Sequence, residues 1–177
     1  MAAKANLGTG EPSASSARSA LKGVGIFQAE SAAHIVQVRE LFLEYAQSLG
    51  FSLCFQSFDE ELADLPGKYA PPDGRLLIAQ LNSEIAGCVA LRKLDDCICE
   101  MKRLYVRPQF RGQGLGRALA ERIIIEARAI GYQCIRLDTV QPVMQDAVAM
   151  YRRLGFREIP QYCENPIAGA LYMELQF

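Results

Sequence analysis

Apolar residues recur in two rhythms along this chain, and these rhythms outline its secondary structure. Runs in which apolar and polar residues alternate indicate β-strands, because successive side chains of a strand point to opposite faces. Apolar residues that recur three or four positions apart indicate amphipathic helices. The predicted strands are Val24–Ala29, Arg75–Leu81, Glu84–Leu91, Ile98–Val106, Cys134–Val140, Phe156–Tyr162 and Leu171–Phe177, and the predicted helices are one between Ser31 and Gly50, Asp59–Leu65, Gly114–Ile130 and Val143–Leu154.

The order of these elements is a strand, two helices, three strands, a helix, a strand, a helix and two strands. This order predicts the α/β (α+β) class with a mixed sheet, because a fully parallel sheet would need strict alternation of strands and helices. Residues 1–22 are rich in alanine, serine and glycine and follow neither rhythm. We therefore expect a flexible N-terminal tail over 1–22 and one folded domain over 23–177.

Length and charge narrow the class of protein. A chain of 177 residues has the size of a single domain with its own core. Its 19 basic and 20 acidic residues nearly cancel, which argues against binding to nucleic acid or to a membrane surface through charge. No apolar run approaches the roughly 18 residues that a membrane-spanning helix needs.

The cysteines and the single histidine argue against a metal site. The six cysteines contain no C-x-x-C pair, and His34 lies among apolar neighbours on the first predicted helix. A zinc site normally draws its ligands from such closely spaced pairs. We therefore expect no metal, a histidine with a packing or surface role, and reduced, buried thiols of the kind found in cytoplasmic proteins.

The segment from Val106 to Arg117 carries glycine at every second position from 112 to 116, between a predicted strand and a predicted helix. Glycines let backbone N–H groups approach a ligand closely, and the free N–H groups of a first helical turn attract anions. Arg111 and Arg117 add positive charge beside these groups. The segment therefore predicts a pyrophosphate site, with a plain glycine-rich turn as the alternative.

Two well-known nucleotide loops do not fit this segment. A Walker A loop ends in Gly-Lys-Ser/Thr, whereas Gly116 is followed by Arg117 and Ala118. A dinucleotide fingerprint has the spacing G-x-G-x-x-G, whereas the third position after Gly114 is Arg117. These mismatches disfavour a module that binds ATP or NAD.

Three motifs resemble those of the GNAT superfamily of acyl-CoA-dependent N-acetyltransferases. Arg111-Gly112-Gln113-Gly114-Leu115-Gly116 resembles the R/Q-x-x-G-x-G/A loop of that family. The preceding strand, Glu100 to Pro108, is similar to the strand that leads into the loop. The segment from Ala147 to Phe156 resembles the A-x-x-x-Y-x-x-x-G-F ending of a family helix.

The resemblance covers about Val24 to Phe177 and implies the acyl-CoA N-acyltransferase fold, a twisted mixed sheet that is split by a bulge and flanked by helices. It implies that acetyl-CoA is the cosubstrate, without a metal, and lies in the split. By this likeness, the backbone of Leu104, Tyr105 and Val106 holds the pantetheine arm. The amides that surround the pyrophosphate are those of Arg111, Gly112, Gln113, Gly114, Leu115, Gly116 and Arg117.

Acyl transfer from a thioester to an amine needs a neutral amine, donors for the oxyanion and a proton for the departing thiolate. Tyr151 matches the family's proton-donating tyrosine, and a phenol with a pKa near 10 keeps its proton at neutral pH. Glu100 is the candidate base, because the family often uses a glutamate of this strand. The alternatives are a half-buried aromatic for Tyr151 and an ion pair with Lys102 or Arg103 for Glu100.

The implied function is transfer of an acetyl group from acetyl-CoA to a primary amine of a small molecule or peptide, by direct attack through a tetrahedral intermediate. The alternative from another class is a non-catalytic acyl-CoA-binding regulatory domain, which would keep the loop without needing an acid at Tyr151. Dimers are common in the family, which makes a second copy of this chain a candidate partner.

The acceptor site is the least determined part. The family places it in segments that correspond here to residues 50–55 and 162–166. Phe51, Phe55 and Tyr162 are candidates for an apolar pocket or for core aromatics, and Glu164 is a candidate for attracting an ammonium group. The chain also departs from the family at Met144, where an asparagine often bonds the cofactor, since a thioether has no amide donors.

Overall fold

The computed structural model describes residues 23–177, so the predicted tail over 1–22 lies outside the described residues. The described residues form seven β-strands and four α-helices. The strands are β1 (Val24–Gln28), β2 (Arg75–Leu81), β3 (Glu84–Lys93), β4 (Ile98–Val106), β5 (Cys134–Val140), β6 (Arg157–Glu158) and β7 (Ala170–Gln176), and the helices are α1 (Ala32–Ser48), α2 (Phe58–Asp64), α3 (Leu115–Ile130) and α4 (Gln145–Arg153).

One mixed sheet contains all seven strands in the order β1-β2-β3-β4-β5-β7-β6. Only β4 and β5 run parallel, and the other neighbouring pairs are antiparallel. Leu77 and Ile78 are consecutive residues of β2 but belong to different apolar cores, so the cores lie on opposite faces of the sheet. One core contains Ile123 of α3 and the other contains Phe42 of α1. No helix within residues 23–177 combines the length and apolarity needed to cross a membrane.

Local signals in the sequence account for the ends of several elements. The Ser31 hydroxyl accepts a hydrogen bond from the His34 N–H at 3.1 Å, and His34 Nδ1 accepts the Ser31 N–H at 3.4 Å. His34 is therefore part of a helix cap. The β2–β3 hairpin turns at Asn82 and Ser83, with φ of 50° and 70°, and α3 ends at Gly131, with φ of 109°.

The sheet splits where β4 leaves β5. The two strands pair only from Ile98 to Glu100 on β4, opposite Cys134 to Arg136 on β5. Further along β4, the register with β3 shifts by one residue at Arg103, whose φ is 56°. An extra residue of this kind bends a strand and increases its twist, so β4 turns away from its neighbour. This geometry confirms the split sheet implied by the family resemblance.

A buried ion pair holds this bulge to α2. Arg103 donates to both carboxylate oxygens of Glu61, at 2.9 Å and 2.7 Å, and both side chains are 2% exposed. The Tyr69 hydroxyl donates to the same carboxylate at 2.8 Å, and Arg103 also donates to Gln56 Oε1 at 2.9 Å. The contact joins residues 42 positions apart and fixes α2 against the sheet.

Some predicted boundaries are wrong. The strand predicted over Phe156–Tyr162 contains only two residues, since β6 pairs with β7 at Arg157 and Glu158 alone. Helix α4 begins at Gln145 rather than Val143, because Met144 has a non-helical backbone with φ of −122° and ψ of 40°.

The cysteine predictions hold in part. All six thiols are free, as expected for reduced cysteines. Cys88, Cys99 and Cys134 are buried, but Cys54 and Cys97 are exposed because each lies outside the strands.

Substituting Gly87 with alanine tests the close approach of β3 and β4. A Cβ at Gly87 would lie 2.3 Å from the carbonyl oxygen of Tyr105, so the strands would have to move apart. We expect Gly87→Ala to lower the free energy of unfolding by about 2 kcal/mol, as overpacking typically does. The matched control is Gly25→Ala in β1, where an added Cβ meets no atom within 4 Å. Urea denaturation of both variants checks this, and equal stabilities would contradict it.

The Arg103–Glu61 pair predicts a pH-dependent contribution to stability. Burial alone raises the pKa of the Glu61 carboxyl, but the Arg103 guanidinium outweighs it and holds that pKa below its usual value of 4.5. The stabilisation is therefore complete above about pH 4.5 and is lost as the pH falls through the lower folded-state pKa.

We expect Glu61→Gln to cost about 3 kcal/mol at pH 7, because it leaves a buried guanidinium without its counter-charge. The difference from the unsubstituted protein should shrink below about pH 4.5. Glu60→Gln, which changes an exposed carboxylate of the same helix, is the control. Urea denaturation at pH 7 and pH 3.5 measures both effects, and a difference that does not change with pH would contradict the linkage.

Candidate active site

A cavity of about 330 Å³ opens where β4 and β5 part. Its walls are residues 101–106 of β4 and residues 137–140 of β5. The cavity therefore includes Leu104, Tyr105 and Val106, which the resemblance assigns to the pantetheine arm. The remaining lining residues come from α1 and the segment after it, the glycine loop, α4 and the turn before it, and the loop before β7. They are Tyr45, Ser48, Leu49, Phe51, Leu53, Gln56, Arg111, Val143, Met144, Asp146, Ala147, Tyr151 and Asn165.

The glycine loop presents unpaired amides beside this cavity. Gly112 and Gly114 have φ of 76° and 82°, and a Cβ at either position would meet no atom within 4 Å. Within residues 23–177, the N–H groups of residues 112–117 have no hydrogen-bond acceptor, and α3 has no side-chain cap. These amides converge at the positive end of a helix dipole, which makes the loop suited to bind an anion.

The two arginines of the loop point in different directions. Arg111 lines the cavity, donates to the Val106 carbonyl oxygen at 2.9 Å and lies with its guanidinium 5.8 Å from the Tyr105 ring centre. Arg117 instead forms an exposed ion pair with Glu121 one turn along α3, at 2.7 Å. The Arg111 side chain therefore lies at the cavity, whereas the Arg117 side chain is turned to Glu121.

Tyr151 extends from α4 into the cavity wall. It is 7% exposed, and its ring packs against Phe156 with a centroid distance of 5.6 Å. Burial raises the pKa of the Tyr151 hydroxyl, so the phenol holds its proton firmly at neutral pH. The side chain is both a core aromatic and a cavity residue, and its role as a proton donor stays a prediction.

A carboxylate that the sequence analysis did not single out lies in the wall opposite. Asp138 of β5 accepts hydrogen bonds from Lys102 Nζ at 2.9 Å, Asn165 Nδ2 at 2.9 Å and Gln56 Nε2 at 3.3 Å. Burial raises the pKa of Asp138, but the Lys102 ammonium and the hydrogen-bond donors outweigh it and hold the pKa below 3.8. Asp138 is therefore a fixed, charged acceptor at the cavity.

Glu100 is not among the residues that line the cavity. It is fully buried behind the wall, where it forms an ion pair with Arg92 and accepts the Tyr162 hydroxyl at 2.8 Å. Lys102 Nζ lies 3.9 Å from Glu100 and 2.9 Å from Asp138. The structure thus brings Tyr151 to the cavity. It places Glu100 in a buried network of charges that includes Lys102, which was one of the two ion-pair partners predicted for Glu100.

The predicted acceptor residues separate in the structure. Phe51 lines the cavity, whereas Tyr162 is bound to Glu100 and packs against Tyr172. Glu164 is exposed and borders a shallower cleft together with Asn165. The side chain of Phe55 lies outside the described part of the structure.

Met144 lies in the cavity wall at the position where the family often has asparagine. Its sulfur accepts the Thr139 hydroxyl at 3.2 Å. The side chain adds apolar surface and no amide donor, so it cannot supply the hydrogen bonds of the asparagine that the family often has here.

One group of potential metal ligands occurs within residues 23–177. Glu100, Asp138 and Cys163 place one ligand atom each within 4.8 Å of one another. The Lys102 ammonium lies 2.9 Å from Asp138 and 3.9 Å from Glu100. The Lys102 ammonium therefore balances the negative charge of these two carboxylates.

Asp138 and Arg103 were missed because their partners are distant in sequence. Asp138 is the single acid in the strand Cys134–Val140, and this is the one local signal that marks it. Arg103 follows Lys102 in a predicted strand, and nothing local distinguishes a bulge there.

Comparisons with known proteins agree with this geometry. A family model described as the acetyltransferase (GNAT) family matches residues 35–156. An uncharacterized N-acetyltransferase of Schizosaccharomyces pombe is 42% identical over 139 residues, which cover 77% of this chain and 84% of the relative.

Solved structures share the fold. A GNAT-family acetyltransferase from Staphylococcus aureus aligns with a TM-score of 0.71 at 19% identity, covering 86% of this chain and 98% of that one. A GNAT-family acetyltransferase from Elizabethkingia anophelis, solved with acetyl-CoA bound, aligns with a TM-score of 0.59 at 19% identity, covering 88% and 99%. The family match, the related sequences and the split sheet together establish that this chain belongs to the GNAT family of acetyltransferases.

Proposed function

We propose that this enzyme transfers an acetyl group from acetyl-CoA to a primary amine of a small molecule or peptide by direct attack. The observation that carries the proposal is one cavity that is lined by the open edge of β4, by Tyr151 and by Arg111, at which the glycine loop with its unpaired amides begins. When bound, acetyl-CoA supplies the activated acetyl group as a thioester.

The described residues fit this cosubstrate. The amides of residues 112–117 have no acceptor among residues 23–177 and suit a pyrophosphate. The backbone of residues 104–106 lies where β4 no longer pairs with β5, so the polar groups on that edge are open to an extended amide chain, apart from the Val106 carbonyl oxygen, which accepts Arg111 at 2.9 Å. Arg111 lies between these two regions and adds a fixed positive charge.

In this proposal Tyr151 donates the proton that the departing thiolate needs. Its raised pKa means that the hydroxyl remains protonated until a strong base forms beside it. A thiol is ordinarily more acidic than a phenol, so the transfer depends on the thiolate forming in the same buried site, where its charged form is disfavoured as well.

The role of Glu100 as a base stays a prediction. Its contacts support a positioning role, because it is buried and shares Lys102 with Asp138. Glu100 would then act on the reaction by holding Lys102, and hence Asp138, in place.

Arg111→Glu tests the cosubstrate site. Reversing this charge beside a pyrophosphate should weaken acetyl-CoA binding by at least about tenfold, because a charge-assisted contact is replaced by repulsion. The control is Arg122→Glu, the same charge change on the exposed side of α3. Calorimetric titration with acetyl-CoA measures both, and equal affinities for the two variants would contradict the site.

Tyr151→Phe tests the proton donor. We expect kcat to fall about 100-fold, in the range typical of general acids, with little change in acetyl-CoA affinity. The control is Tyr132→Phe, which removes a hydroxyl that donates to the Asp73 carbonyl at 2.9 Å, outside the cavity. Thiol release with a reactive amine gives the rates, and unchanged turnover in Tyr151→Phe would remove Tyr151 from this role.

The reaction itself is tested on the unsubstituted chain. Acetyl-CoA at 100 times its Kd should stabilise the protein by about 2.7 kcal/mol and raise Tm by about 5–10 °C. Amines should then cause continuous release of CoA thiol. Stabilisation without release by any amine would support the alternative of a non-catalytic acyl-CoA-binding domain.

A further inference from the structure

A second phenol, Tyr45, lines the cavity and has no part in the mechanism above. Tyr45 extends from α1, Tyr151 from α4 and Asp138 from β5, so three elements bring three polar groups to one cavity. The hydroxyls of Tyr69, Tyr132 and Tyr162 all donate to protein oxygens, but within residues 23–177 those of Tyr45 and Tyr151 have no such partner. Their polar atoms are therefore available to a ligand.

The position of Tyr45 is fixed by its neighbours. Its ring packs edge-on against Tyr105, with 6.1 Å between centroids, and the Arg103 guanidinium lies 5.9 Å from the ring centre. Burial raises the pKa of Tyr45 to about 12 although Arg103 opposes the rise, so the hydroxyl is neutral at pH 7. A neutral phenol oxygen accepts hydrogen bonds from a ligand N–H.

Two of the three basic side chains that line the cavity are already paired, and the third, Arg111, belongs to the glycine loop. Lys102 is held by Asp138 at 2.9 Å, and Arg103 is held by both oxygens of Glu61. A carboxylate on the acceptor would find neither basic group free, and burying an unpaired charge is costly. Leu49, Phe51 and Leu53 add apolar surface to the cavity wall, beside the amides of Gln56 and Asn165 that hold Asp138.

A neutral primary amine matches this arrangement. Its nitrogen has two N–H donors and one lone pair, so two acceptors hold the donors and leave the lone pair free to attack. Tyr45 provides one acceptor from α1. Asp138 provides the other from β5 through Oδ1, which accepts one hydrogen bond, from Lys102, whereas Oδ2 already accepts both Gln56 and Asn165. A secondary amine has only one N–H and would leave one acceptor unsatisfied, which reduces affinity.

We propose that the acceptor is a small apolar primary amine whose nitrogen donates to Tyr45 and Asp138, while Phe51 and the two leucines hold its apolar part. This inference rests on the proposed acetyl transfer and names its substrate class. The cavity of about 330 Å³ must contain both the acetyl end of the cosubstrate and the amine, which favours a small acceptor.

The reaction balances with these residues. The amine nitrogen forms a bond to the acetyl carbon, and the carbon–sulfur bond breaks with its electron pair on sulfur. The sulfur takes the Tyr151 proton. The nitrogen then belongs to an N-protonated amide, which is far more acidic than a carboxylic acid, so its surplus proton passes to Asp138 although the pKa of that carboxyl is lowered. Solvent then removes the proton from Asp138 and returns one to Tyr151, so the products are an amide and CoA thiol.

The first experiment measures kcat/KM for CoA release with a matched set of acceptors. The set is 2-phenylethylamine, its N-methyl derivative, phenylalanine, spermidine and a neutral tripeptide. We expect 2-phenylethylamine to exceed each of the others by at least about tenfold. Preference for phenylalanine, spermidine or the tripeptide would overturn the inference while leaving acetyl transfer intact. No release with any amine would instead overturn the proposed function.

The second experiment uses Tyr45→Phe to test the second acceptor. Losing one hydrogen bond should lower kcat/KM for 2-phenylethylamine about tenfold, mainly through KM, and leave the N-methyl derivative nearly unchanged. The selectivity for primary over secondary amine should therefore fall. A merely structural role for Tyr45 would lower both rates equally, and that result would overturn its assignment. Tyr132→Phe, whose hydroxyl lies outside the cavity, should retain the original selectivity.

Asp138→Asn gives an independent check. The amide keeps an acceptor oxygen but cannot take the proton, so kcat should fall about 100-fold. The rise in Tm with acetyl-CoA should persist, which shows that the variant is folded and binds its cosubstrate. Unchanged kcat would overturn the role of Asp138. If this variant does not fold, the amine selectivity of Tyr45→Phe decides the inference.

Discussion

The bidentate contact between Arg103 and Glu61 is the interaction on which the rest of the site depends. Arg103 occupies the bulge that follows the point where β4 leaves β5. Its backbone is in a left-handed conformation that residues other than glycine rarely adopt. Its guanidinium compensates a carboxylate of α2 that is 2% exposed. One buried ion pair thus joins the bulge of β4 to α2 beside the cavity.

The two ends of the cavity are built from different parts of the chain. The end suited to the cosubstrate consists mainly of backbone groups, the amides of residues 112–117 and the open edge of β4. The opposite end consists of side chains, among them Tyr45, Phe51 and Asp138. A loop that binds through its backbone requires glycines at fixed spacing, and this spacing is recognisable in the sequence. Side chains that come together from separate elements form no such sequence motif.

This difference explains what could be predicted from the sequence. Helix α3 and the loop before it were located from Gly114 and Gly131, because these residues meet local backbone requirements. The bulge at Arg103 was not located from the sequence, because Glu61, which binds Arg103, lies 42 positions earlier in the chain. The polar role of Asp138 likewise depends on Asn165, which reaches it from the loop before β7. Contacts between distant positions carry no periodicity, so no local pattern reports them.

Gln56 links two parts of the molecule, so substitutions in one part should alter the effect of substitutions in the other. Its amide oxygen accepts from Arg103 at 2.9 Å, and its amide nitrogen donates to Asp138 at 3.3 Å. One side chain thus connects the ion pair that stabilises the fold with a carboxylate of the cavity wall. Substitutions on α2 and on β5 should therefore be epistatic, since residues of one hydrogen-bonded network do not act additively. Under the proposed amine acceptor site, a substitution in this network should therefore change both the amine preference and the thermal stability of the protein.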